Sequence, residues 1–163
     1  MGLQNGSSQH SKVFTIWKHL GSNNGFIVAN QAFFNQTTDR EMKRVIADFT
    51  QCLKEENRYL EKQLIKIGIK PTPALTVHSK AKTKAIQVRT RTRDSDISAA
   101  LSMNIASSLV TTSAALGEEI NEDNIRKYAH FHMKKAVLGA TLIKLSNKKK
   151  WLPPPTTYSI KSR

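Results

Sequence analysis

The stretch Thr37–Pro73, TTDREMKRVIADFTQCLKEENRYLEKQLIKIGIKPTP, decides the fold class. Met42, Ile46, Phe49, Leu53, Leu60, Leu64 and Ile67 fall on one stripe at helical spacing. Thr38 stands as a candidate N-cap with Glu41 three residues on, the pattern of a capping box. Gly68 and Pro71 are the expected stop signals. One helix nearly as long as this can bury its stripe only against other helices.

Working outward, a first helix is expected from about Lys12 to Phe34. Its apolar positions are Phe14, Trp17, Leu20, Ile27 and Phe34, with a gap at the polar run GSNNG. Gly21 and Gly25 weaken the pattern there and leave room for a break. Residues 1–11 are expected as a disordered basic tail. They hold no apolar run, so no secretory signal is expected in them, and Gly6 stands where a myristoylation site needs Ser or Thr.

Residues 69–95 do not read as helix. Pro71 and Pro73 open the stretch, and Lys80, Lys82, Lys84, Arg89, Arg91 and Arg93 follow with no acid between them. AIQVRTRT alternates with a period of two, which suits an extended segment. A third helix is expected from Asp96 to about Glu119, capped by Asp94 or Ser95. It carries no charge from Ile97 to Gly117, a length that could cross a membrane. Eight Ser, Thr and Asn residues inside that span favour a helix buried on most sides by protein, with no membrane span. A fourth helix, capped by Asn121, Asp123 or Asn124, is expected to run to about Ser146. Residues 147–163 read as a Pro-rich basic tail.

Two helices, a long connection and two more helices specify an all-α, ferritin-like four-helix bundle, residues 12–146, with one crossover. Ferritin-like bundles often hold two iron or manganese ions with one Glu from each of two helices and Glu-x-x-His from the others. That set is missing. No Glu or Asp lies between Lys12 and Thr38 or between Ile97 and Gly117, Tyr59 stands three residues after Glu56, and Ala129 three before His132. In YAHFHMKKAVLG, Tyr128–Gly139, His130 and His132 point roughly 200° apart on a helix, so one ion cannot take both. Ile125, Ala129, Met133, Ala136, Ala140 and Ile143 mark an apolar face with His132 near its centre; His130 faces solvent. Glu56 falls within the apolar stripe of the second helix. An inward Glu56–His132 pair, with Asn104 or Tyr59 as polar core neighbours, is therefore the candidate for a metal or small-ligand site. No nucleophile–base pair, phosphate loop or cofactor fingerprint is present, so no catalysis and no cofactor are expected.

The chain has 163 residues, 26 Lys+Arg against 12 Asp+Glu, a net charge of +14 and a mean hydropathy of -0.44. Such a balance favours anionic partners. The expected partner is a protein or an acidic polymer, with nonspecific nucleic-acid binding through the Lys80–Arg93 cluster and the C-terminal lysines as the alternative, and self-association as a homo-oligomer allowed. Cys52 is the only cysteine, which excludes an internal disulfide and fits a reducing, cytoplasmic setting.

The motifs VFTIWKHLGSNNGFIVANQAFFN, LIKIGIKPTP, DSDISAALSMNIASSLV, NEDNIRKYAHFHMKKAVLGATLIKL and KKKWLPPPTTY resemble, in order and spacing, a family of endospore-forming bacteria. Its members are commonly labelled a domain of unknown function or a "putative spore coat protein". The resemblance covers residues 12–158, and FHMKKA with WLPPP are its most specific parts. It implies a ferritin-like bundle and a sporulation or spore-coat role, structural or interacting rather than catalytic. Glu56 and His132 match positions of the family pattern and His130 does not. The chain departs from the pattern in its basic crossover and in Lys12, which stands where an acid is usual.

Overall fold

The computed structural model describes the backbone of residues 3–71 and 91–152, and the side chains of 11–71 and 91–152. Four helices make up these residues: α1 (Leu3–Gln36), α2 (Arg40–Lys66), α3 (Asp94–Glu118) and α4 (Glu122–Lys148). The long connection, 67–93, joins α2 to α3. Residues 85–90 of the extended reading and four of the six basic positions, Lys80, Lys82, Lys84 and Arg89, lie outside the described residues, as does the tail beyond Leu152.

End contacts fix the topology. Thr37, just past α1, donates to Asp94 at the start of α3 (2.5 Å), while Lys12 near the other end of α1 reaches Glu119 (3.1 Å). Lys148 and Lys149 at the end of α4 pair with Glu41 and Asp39 at the start of α2. Helices α1 and α4 therefore run one way, α2 and α3 the other. Around the bundle the order is α1, α2, α4, α3, and every neighbouring pair is antiparallel. The connection from α2 to α3 must travel the bundle's length, about 40 Å for a helix of 27 residues. An extended chain covers about 3.3 Å per residue, so the 67–93 segment spans it with slack.

The helix starts differ from the sequence reading in detail. Asp39, not Thr38, caps α2; its Oδ1 accepts from the Met42 N–H at 2.9 Å. Asp94 is committed to Thr37, and Arg93 occupies the N-cap position of α3 with no side-chain cap bond. Asn121 caps α4 through Asn124 N–H. Helix α1 starts at Leu3, so residues 3–11, expected as a tail, form its first turns, and it passes Gly21 and Gly25 without a break. Extending a helix that packing has already nucleated costs little even where the sequence is polar. At the far end of α2, Gly68 sits at φ +78°, and Ile69 N–H bonds back to Leu64 C=O at 2.9 Å. That left-handed turn is the helix stop the sequence announced.

The core is in two parts. The upper one gathers Phe49, Met42, Ile46, Leu53, Leu101, Ile105 and Leu142, among others; the lower one Ile16, Leu20, Leu60, Leu64, Ala115 and Tyr128. All of the expected α2 stripe is buried except Ile67, which is half-buried. On α1 and α4 the inward faces are not the expected ones. Phe14 is 70% exposed, while His19, Asn23 and Asn30 are buried on α1. Met133 is 62% exposed, and Tyr128, Phe131, Lys135 and Leu142 point inward on α4. Helix α3, expected to be covered on most sides, is buried on one face only.

Candidate functional site

Between the two apolar halves lies a layer of buried polar side chains, and each helix supplies part of it. Helix α1 brings His19 and Asn23, one turn apart on one face. Helix α2 brings Glu56, α3 brings Ser108 and Thr112, again one turn apart, and α4 brings Lys135. Glu56 and Lys135 have no exposed surface.

The Glu56 carboxylate is the hub. Oε2 accepts from Lys135 Nζ at 2.5 Å and from Asn23 Nδ2 at 2.8 Å. Lys135 Nζ also donates to Thr112 Oγ1 at 2.6 Å. The Thr112 hydroxyl lies 3.2 Å from Glu56 Oε1 and 2.9 Å from the Ser108 carbonyl. One hydroxyl has one proton, and the shorter contact takes it to Ser108. Oε1 then depends on His19, whose Nε2 is 3.3 Å away. At that distance the contact is a long, poorly formed hydrogen bond. The His19 ring stacks on Tyr128, centroids 6.1 Å apart, which sets the layer on the lower core. Beside it, Asn57 Nδ2 donates to Asn24 Oδ1 at 2.9 Å.

Burial alone would raise the Glu56 carboxyl. His19 and Lys135 outweigh it and hold the group at about 2. For Lys135 burial is the larger effect, and despite Glu56 its ammonium is held below its ordinary range. The pair sits on the expensive side of burial. Both His19 nitrogens, Asn23 Oδ1, Asn57 Oδ1 and Ser108 Oγ have no well-formed hydrogen-bond partner in the protein. Buried polar atoms of this kind are ordinarily matched by ordered water.

The sequence placed Glu56 correctly inside but gave it the wrong partner. His132 is half-buried on the α3 side of α4, with Nδ1 3.3 Å from Ser113 Oγ. Lys135, three residues on, takes the inward position beside Glu56. The apolar face that led to His132 is real but turns partly to solvent, so the helical wheel was centred wrongly. Asn104 is half-buried and outside the layer. Tyr59 lies nearer the lower end, where its hydroxyl donates to Asn124 Oδ1 at 2.6 Å, and burial pushes it up to about 12. His130 is exposed, as the wheel required. Of the basic set, Arg93 pairs with Asp96 (3.0 Å) at the start of α3. Among the described residues, no three His, Cys, Asp or Glu side chains converge to hold a metal ion. Lys135 Nζ fills the place beside the carboxylate that a cation would take.

His19, Asn23 and Lys135 are the residues sequence reasoning missed. A signal existed: the apolar stripes of α1 and α2 are both interrupted, at GSNNG and at Glu56, and α4 has a Lys-Lys pair in a segment otherwise poor in acids.

Fold and site together define an all-α four-helix bundle protein whose described interior holds one sealed ionic layer. The chain belongs to the family described as "Protein of unknown function (DUF3231)", whose model matches residues 9–162. It is 28% identical over 163 residues to the uncharacterized protein YvdQ of Bacillus subtilis (strain 168), covering 97% of this chain and 96% of that one. Among solved structures it is similar to a "putative spore coat protein" from Bacillus halodurans C-125, with 37% identity and a TM-score of 0.82 over 91% of this chain and 94% of that one.

Proposed function

We propose that this protein is a non-catalytic, spore-associated bundle that acts by interaction, as a structural or scaffold component. The observation that carries the reading is the likeness, nearly end to end at 37% identity, to a protein named for the spore coat. The closed layer supports the non-catalytic part. Glu56 and Lys135 saturate one another without exposed surface, and a substrate could reach them only by opening the bundle. A ferritin-like ancestry fits the single long crossover, with the lysine standing in for bound metal. The charge of +14 favours an anionic surface as the thing bound.

The test is to tag the protein at its own locus and follow it through sporulation, then to extract purified spores and probe the coat fraction. Recovery from the coat fraction is expected. Recovery only from growing cells, with washed spores empty, would refute the reading.

A further inference from the structure

Among the described residues, the outer face of α3 has no charge and no cover. Ala99, Met103, Ala106, Val110, Ser113 and Gly117 are all exposed, Met103 by 67% and Val110 by 70%. Their spacings alternate four, three, four, three, four. That is the seven-residue repeat of helices packed side by side along their length. Only 28% of the most apolar window of α3 is buried. The bare surface continues on both flanks. Ile143 of α4 is 54% exposed on the side that faces α3, and α1 has no charged residue between Lys18 and Thr38. In a chain of net charge +14, the lysines and arginines of the described residues sit on α2, on α4, at the helix ends and, on α1, at Lys12 and Lys18, and leave the α3 stripe itself clear.

Charge at the two ends of the α3–α4 hairpin says what covers the face. The turn carries Glu118, Glu119, Glu122 and Asp123 with no base among residues 118–123. The opposite end carries Arg91, Arg93, Lys144, Lys148, Lys149 and Lys150 against Asp94 and Asp96, an excess of base even with Arg93 paired to Asp96, Lys148 to Glu41 and Lys149 to Asp39. The stripe is symmetric about the point midway between Ala106 and Val110. A two-fold axis there lays two copies of α3 antiparallel, sets Ala106 against Val110, and brings the acidic turn of each copy over the basic end of the other. A parallel arrangement would stack like charges at both ends. Antiparallel packing also opposes the helix dipoles favourably.

We propose that the α3 face is an isologous interface, on which a second copy of this chain docks with its own α3 antiparallel. The proposal stands independently of any spore role.

Light scattering on an eluting peak of the full chain at tens of micromolar is expected to give twice 18.3 kDa. Val110→Glu changes an exposed position to a good helix former, so the fold should survive, with an unchanged far-ultraviolet spectrum. The mass should fall to that of a monomer, a loss of affinity of at least a hundredfold. A mixture of Ala106→Cys and Val110→Cys chains, oxidised gently, should cross-link at least fivefold more than either alone, because the axis opposes 106 to 110 rather than to itself. A monomeric wild type overturns the proposal, as does a Val110→Glu dimer. Equal cross-linking in all three samples overturns the antiparallel register. A monomeric wild type that sediments with vesicles of anionic lipid would assign the face to a membrane surface instead, and overturns it too.

Discussion

Replacing Lys135 with Met keeps side-chain length and apolar volume but removes the ammonium beside Glu56. Neither group has exposed surface, so the carboxylate left behind has no access to solvent. It retains Asn23 at 2.8 Å and His19 at 3.3 Å, but loses its 2.5 Å partner. Breaking a buried pair in this way costs about 3–5 kcal/mol. In a chain of this size each kcal/mol moves the thermal midpoint by about 2–4 °C, so a fall of roughly 6–20 °C is expected. Urea unfolding followed by circular dichroism gives the free energy directly. Adding Glu56→Gln should return most of the loss, to within about 2 kcal/mol of wild type, because a neutral pair pays little for burial. The four proteins form a double-mutant cycle with an expected coupling of at least about 2 kcal/mol. Glu56→Gln alone leaves the opposite orphan, but Lys135 can shed its proton. Its pKa is already lowered by burial, so the charged form is penalised in the folded state, and that variant should gain stability as pH rises toward 10.5. A cost below about 1 kcal/mol for Lys135→Met, or additivity within about 0.5 kcal/mol, would refute the argument that the layer is a coupled ionic unit.

Acid should expose the same layer. The Glu56 carboxyl is held at about 2 against an unfolded value of 4.5, so its contribution is complete above 4.5 and disappears as pH falls through 2. That is worth about 3 kcal/mol, visible as a fall in the urea midpoint between those limits, and Glu56→Gln should remove most of the slope. Cys52 is buried and its thiol pushed up to about 11, so a disulfide-forming reagent at pH 8 should leave it unlabelled in the folded protein and label it fully in urea. Prompt labelling of the folded protein would contradict its placement. Gly21→Ala should add about 0.5–1 kcal/mol, since a Cβ there meets nothing within 4 Å and alanine is the better helix former. Gly68→Ala should instead cost about 1 kcal/mol, because φ is +78°. The two substitutions, compared by thermal unfolding, must move in opposite directions. His132→Ala should change stability by no more than about 0.5 kcal/mol, because its polar contact among the described residues is a long bond to Ser113 at the surface.

How far the sequence could be read varies from helix to helix for one physical reason. In α2 the inward face is apolar apart from Glu56, so counting apolar residues finds the core face and places Glu56 within it. In α1 the inward face runs through His19, Asn23 and Asn30. Apolar counting therefore slid toward Phe14 and Trp17, which lie largely outside. In α4 the true face passes through Lys135, while Met133 and Ile143 lie on an outer apolar surface. A wheel centred on apolar residues alone picked that second surface and took His132 with it. In α3 the lack of charge was read as burial, although an uncovered face is equally free of charge. Apolar periodicity locates a core only where the core is apolar, and in this protein all four helices carry polar residues inward at one level.

That level raises the question of why a bundle keeps such a layer. Replacing an ion pair by apolar side chains is often neutral or stabilising, so stability alone is a weak reason for it. Register is a stronger one. Asn23, Glu56, Thr112 and Lys135 come one from each helix and meet around a single carboxylate. Sliding any helix by one turn moves its group about 5.4 Å along the axis, beyond hydrogen-bond reach. The apolar halves above and below would tolerate such a slide better, because Leu and Ile repeat along every stripe. Setting one polar or charged group from each helix at one height penalises every wrong alignment of four smooth helices, including those that the long connection between α2 and α3 is long enough to permit. On this account the residues that obscured the fold in the sequence are the ones that single out its alignment, and the coupling measured in the Glu56–Lys135 cycle is the quantity that judges it.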